Sequence, residues 1–67
     1  MKNNLKVYRA MTNMTQAELA QRSGTTRQTI VAVENDLRDP SLDLTFRLSR
    51  IFKIRVEELF LYETTKK

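Results

Sequence analysis

Apolar side chains along this chain recur at helical spacing, in five short blocks separated by polar residues. The first block predicts a helix over 4–12, with Leu5, Tyr8 and Ala10 or Met11 turned toward a core. The second opens on Thr15-Gln16-Ala17-Glu18, a capping box in which Thr15 and Glu18 satisfy each other's backbone amides. It stops at Gly24, the one glycine, where a left-handed residue ends a helix at least cost. The third follows at once, with Thr26 as N-cap, and runs to Asn35. After a polar loop over 36–40, a fourth runs from its N-cap Ser41 to Phe52. The fifth is short, from Val56 to Phe60 or Leu61, with Ile54 placed to staple against Leu59. Phe46, Phe52 and Phe60 fall on the apolar stripes and read as core, as do Met11 and Met14. Residues 62–67 hold strand formers and end on two lysines. The pattern predicts an all-α, five-helix domain spanning 1–67, with a helical core over 4–60 and a tail over 61–67.

Composition narrows the function. A chain of 67 residues buries only about 60% of its unfolded surface, too little for a deep enzyme pocket. It has no cysteine and no histidine. That removes disulfides, thiolate metal sites, the commonest general base and the commonest metal ligand. No cofactor, metal, small-molecule ligand or catalytic residue is therefore expected, and the chain does not read as an enzyme. The adjacent Glu57 and Glu58 do not face each other on a helix; they favour its N-terminal dipole. The longest apolar runs, 30–33 and 59–62, are four residues each, which fits no membrane span and no signal peptide. A cytoplasmic protein without membrane contact is the expectation.

Charge points to a partner. The net charge is +4, and all of that excess lies in residues 1–33, where five bases face one acid. The remaining residues hold seven of each sign. A basic half suits a polyanion such as nucleic acid, although the same charge also serves solubility.

The second and third helices, joined by Ser23-Gly24-Thr25, match a helix-turn-helix, whose second helix enters the DNA major groove. Ala20 is small where the two would cross, and Leu19, Ile30 and Val33 point inward. Gln28, Val31, Ala32 and Asn35 then face outward, with Arg27 on the first exposed turn. Arginine can pair bidentately with guanine and glutamine with adenine, while Val or Ala can meet a thymine methyl. An ordinary helical hairpin fits the same spacing, but Val31 beside Ala32 serves no purpose on a solvated face.

These residues, with Val33-Glu34-Asn35, Asp39-Pro40-Ser41-Leu42 and Val56-Glu57-Glu58-Leu59-Phe60, resemble the Cro/CI (XRE) family of repressors over about 5–60. By length and tail the chain is most similar to short stand-alone regulators of the cytolysin-operon repressor type. The resemblance implies a lambda-repressor-like fold and sequence-specific binding to double-stranded DNA. It implies base reading by Arg27, Gln28, Thr29, Val31 and Ala32. It implies phosphate contacts at Gln16, Thr26, Asn35 and Arg38, with Gln16 also bracing the recognition helix. It further implies an ion pair between Arg9 and Glu34. Three positions depart from the family pattern: Asp36 stands where Gly is usual, Lys53 where Asn or Gly is usual, and Arg55 where Ser or Thr would cap the fifth helix.

One recognition helix offers too few readers to find a site in a genome, so a homodimer on a palindromic operator is expected. Leu61-Tyr62-Glu63-Thr64 alternates like a strand in need of a partner, and residues 1–3 could add an edge. Leu59, Phe60, Leu61 and Tyr62 are the expected dimer contacts. A reading from another class is an antitoxin-like protein-interaction module on the same fold, for which Val7 and Met11 offer the apolar candidates.

Overall fold

Each helix of this protein is bounded by a side chain or a backbone reversal written into its flanking residues. The computed structural model describes residues 1–62. Strand β1 (Lys2–Asn3) is followed by helices α1 (Leu5–Met11), α2 (Gln16–Ser23), α3 (Arg27–Glu34), α4 (Leu42–Phe52) and α5 (Val56–Leu59), then strand β2 (Phe60–Leu61). At the start of α2, Thr15 Oγ1 accepts the Glu18 amide at 3.0 Å and Glu18 Oε1 accepts the Thr15 amide at 2.9 Å. That second bond, with help from the Thr15 hydroxyl and Arg22, holds the Glu18 carboxyl below its usual range. Thr26 and Ser41 cap α3 and α4 through the amides of Thr29 and Leu44, each at 3.1 Å.

Left-handed residues end α2, α3 and α4. Gly24 (φ +74°) closes α2, and the Thr25 amide reaches back to the Ala20 carbonyl at 3.0 Å. Asp36 (φ 60°) and Lys53 (φ 58°) adopt the same conformation after α3 and α4, although each carries a β-carbon. Asp36, standing where the resemblance expects glycine, takes the left-handed conformation itself. At α5 half a capping box survives: Glu58 Oε1 accepts the Arg55 amide at 2.9 Å, whereas an arginine side chain has no acceptor to return the bond.

The core joins Leu5, Met14, Leu19, Ala20, Ile30, Val33, Leu44, Leu48, Leu59 and Phe60, with Tyr8, Ile51, Phe52, Ile54 and Val56 packed against it. Three positions read as core lie outside it. Phe46 is 51% exposed, because the buried stripe of α4 runs through Leu44, Leu48 and Ile51, and position 46 sits across the helix from it. Met11 is 72% exposed and Ala10 is exposed as well, because α1 buries the face carrying Leu5 and Tyr8. Helix α5 ends one residue early, at Leu59, where the chain turns extended.

Of the strand expected over 61–64, only Leu61 among the described residues is in one: the strand is Phe60–Leu61, it begins on a residue expected in the fifth helix, and its partner belongs to the same chain. Lys2 pairs with Leu61 and Asn3 with Phe60, antiparallel. The Asn4 amide extends the ladder to the Leu59 carbonyl at 2.9 Å. Leu59 and Phe60, expected as dimer contacts, are instead buried in the chain's own core, because the β1–β2 pairing turns them inward. Leu61 and Tyr62 remain exposed. The expected strand positions Glu63 and Thr64 lie outside the described residues.

Candidate nucleic-acid interface

Helices α2 and α3 cross over buried Ala20, Leu19, Ile30 and Val33, with Ser23 sunk beneath the turn. The Ser23 hydroxyl donates to the Leu19 carbonyl at 2.7 Å, which satisfies it without a partner outside the helix. This packing fixes which face of α3 looks outward. Arg27 and Gln28 are exposed on its first turn, and Asn35 is exposed at its end. Val31 and Ala32 are half-buried on the outer face, where small apolar groups sit between the polar ones. Thr29 is also half-buried, and its hydroxyl lies 2.9 Å from that of the exposed Thr26. Arg38 stands exposed on the loop after α3.

Behind this face is a charged clasp. Arg9 Nε and Nη2 donate to Glu34 Oε2 and Oε1 at 2.6 and 3.2 Å, a bidentate pair joining α1 to α3. The Glu34 side chain is fully buried. Arg9 Nη1 also donates to the Met14 carbonyl at 3.0 Å, so the loop before α2 is tied to the same point. Gln16, the first residue of α2, donates to Glu34 Oε1 at 3.0 Å and accepts from Arg27 Nη2 at 3.3 Å. No buried side-chain nitrogen or oxygen among the described residues lacks a partner.

Sequence reasoning missed a second clasp. The Asn3 amide donates to the Val33 carbonyl at 2.8 Å, and the Met1 amine pairs with Asp36 and Asp39. These contacts tie β1 to the loop carrying Asn35 and Arg38. The two carboxylates, Asp36 first, raise the amine above its usual pKa, and the ammonium in turn offsets their negative charge beside α3. Asn3, Asp36 and Asp39 are polar and dispersed in sequence, and Met1 and Val33 take part through backbone groups, so no periodicity could flag them.

Elsewhere, an apolar groove of about 380 Å³ runs past Pro40, Leu42, Val56, Phe60 and Tyr62. Leu42 is 72% exposed and Tyr62 77%. Val7 and Met11, one turn apart on α1, are exposed too. Among the described residues no group of acidic side chains could hold a metal ion, and no helix is long and apolar enough to cross a membrane.

Comparison with known proteins agrees with this geometry. A helix-turn-helix family model matches residues 5–59. An uncharacterized HTH-type transcriptional regulator of Methanocaldococcus jannaschii is 49% identical over 63 residues, covering 94% of this chain and 96% of the relative. One from Archaeoglobus fulgidus is 41% identical, covering 94% and 89%. YgzD, an uncharacterized HTH-type transcriptional regulator of Bacillus subtilis, is 36% identical, covering 94% and 96%. With a turn built on Gly24, an outward α3 and these relatives, the chain belongs to the Cro/CI (XRE) helix-turn-helix family of DNA-binding transcriptional regulators.

Proposed function

We propose that this protein is a repressor that reads a palindromic DNA site as a homodimer, with α3 in the major groove. The observation that carries the reading is Arg27, exposed on the first turn of α3 and braced by Gln16. Arg27, Gln28 and Thr29, with Val31 and Ala32, supply direct readout. Gln16, Thr26, Asn35 and Arg38 flank them and hold the phosphates, which set register and carry no sequence information.

The dimer reading draws on the exposed Leu42, Leu61 and Tyr62 beside the apolar groove. A C₂ partner covering them would set two recognition helices one DNA turn apart, about 34 Å. Selection of bound duplexes from a random library tests the whole reading. An enriched inverted repeat, with sedimentation giving a dimer, supports it; a single half-site bound tightly by a monomer contradicts it.

The exposed Val7 and Met11 favour a second reading, in which α1 docks another protein as an antitoxin does. Under that reading, Met11→Lys abolishes partner capture and leaves DNA affinity unchanged.

A further inference from the structure

Glu34 lies at the last turn of α3, fully buried, yet a chain of hydrogen bonds runs from it to an exposed residue. Its Oε1 accepts from Gln16 Nε2 at 3.0 Å, and Gln16 Oε1 accepts from Arg27 Nη2 at 3.3 Å. A carboxylate held by a guanidinium offers only acceptors, and a guanidinium offers only donors. An amide at position 16 can be set in two ways, and one alone suits both neighbours. Its NH₂ must face Glu34 and its carbonyl must face Arg27. The flipped amide would set oxygen against oxygen and nitrogen against guanidinium. One N–H of Gln16 stays free in the favoured setting, available to a phosphate.

We propose that Glu34 is a positioning residue for sequence readout: by dictating the Gln16 amide it holds the Arg27 guanidinium over the outer face of α3. This rests on the reading of Arg27 as a base reader. One of the five N–H donors of Arg27 is spent on Gln16, leaving enough to address a guanine edge bidentately. Long side chains lose rotamer freedom when they are ordered, so a tether made before binding reduces what DNA must supply. Glu34 thus acts on a base it never touches. Pairing with Arg9 alone would account for stability but gives no reason for the Gln16 bond.

Nuclear magnetic resonance on the full chain without DNA tests the tether. The signals to follow are Arg27 Nε–H and the Gln16 side-chain NH₂ in wild type, Glu34→Gln and Gln16→Ala. Gln16→Ala leaves the Arg9–Glu34 pair whole, so it serves where Glu34→Gln fails to fold. Arg27 is expected to be more ordered than the exposed Arg38 in wild type, and as mobile as Arg38 in both variants. The two variants are also expected to lose roughly tenfold in the ratio of affinities for the most enriched library duplex and a scrambled one, within the range of one bidentate base contact. Arg27 equally ordered in wild type and Gln16→Ala overturns the proposal, whatever the DNA result. Base preferences that survive Arg27→Ala instead overturn the reading of Arg27, and the resonance comparison still decides the tether.

Discussion

Gly24 and Arg47 meet across the turn between α2 and α3: a β-carbon on Gly24 would lie 2.8 Å from Arg47 Nη1. The same guanidinium reaches the Ser23 carbonyl at 3.5 Å and pairs through Nε with Asp43 at 2.9 Å. Arg47 therefore lies over the turn that sets the angle of the recognition helix. Gly24→Ala meets two costs. A residue with a β-carbon at φ +74° loses about 1–2 kcal/mol, and Arg47 must move aside. Because the colliding atom is the far end of a flexible side chain, the second cost is the smaller. Gly24→Ala/Arg47→Ala is thus expected to recover little of the stability lost in Gly24→Ala, as read by thermal melting. Full recovery would show that the clash, and not the backbone, is the obstacle.

Glu34→Ala leaves Arg9 facing a buried space without its partner, and Gln16 with no acceptor on that side. Breaking one side of a buried pair typically costs about 3–5 kcal/mol, a large share of the stability of so small a domain. Glu57 is exposed on the first turn of α5. Denaturant unfolding is expected to separate Glu34→Ala widely from Glu57→Ala; equal midpoints would mean that the clasp contributes nothing.

Glu18 makes an acid-sensitive lock on α2. Its carboxyl is held below the ordinary value of 4.5 in the fold, so its contribution is complete above that value and is lost as pH falls through the folded pKa. Glu18→Gln keeps a carbonyl oxygen for the Thr15 amide but does not titrate. Melting curves taken from neutral pH downward are expected to show wild type more stable than Glu18→Gln at neutral pH, with the gap closing in acid. A gap that stays constant across the series would contradict the lock.

How far the sequence could be read depended on how local each interaction is. The caps at Thr15, Thr26 and Ser41 act within four residues, and pattern alone located them. Phe46 and Met11 show the opposite case. Hydrophobicity says that a side chain prefers burial, and only the packing of α4 and α1 decides which face is covered. Leu61 is legible as part of a strand over 61–64 and Phe60 reads as the end of the fifth helix, but the pairing of both with Lys2 and Asn3 spans nearly the whole chain. Spacing reached the outward position of Arg27 and Gln28. The meeting of Arg9 with Glu34 lay beyond spacing and came from family resemblance. That Gln16 braces the recognition helix came from the resemblance too, but its partners Glu34 and Arg27 came from neither, because they depend on how α2 seats against α3.

That α3 reads DNA sequence through Arg27 is tested most directly by binding of two variants to the most enriched library duplex and to a scrambled one. Arg27→Ala is expected to lose about 1–3 kcal/mol on the enriched duplex, little on the scrambled one, and to relax preference at one base position. Arg38→Ala is expected to weaken both duplexes alike and to lower the salt dependence by about one ion. An Arg27→Ala protein that keeps the wild-type preference at every position would contradict the assignment of α3 to the major groove.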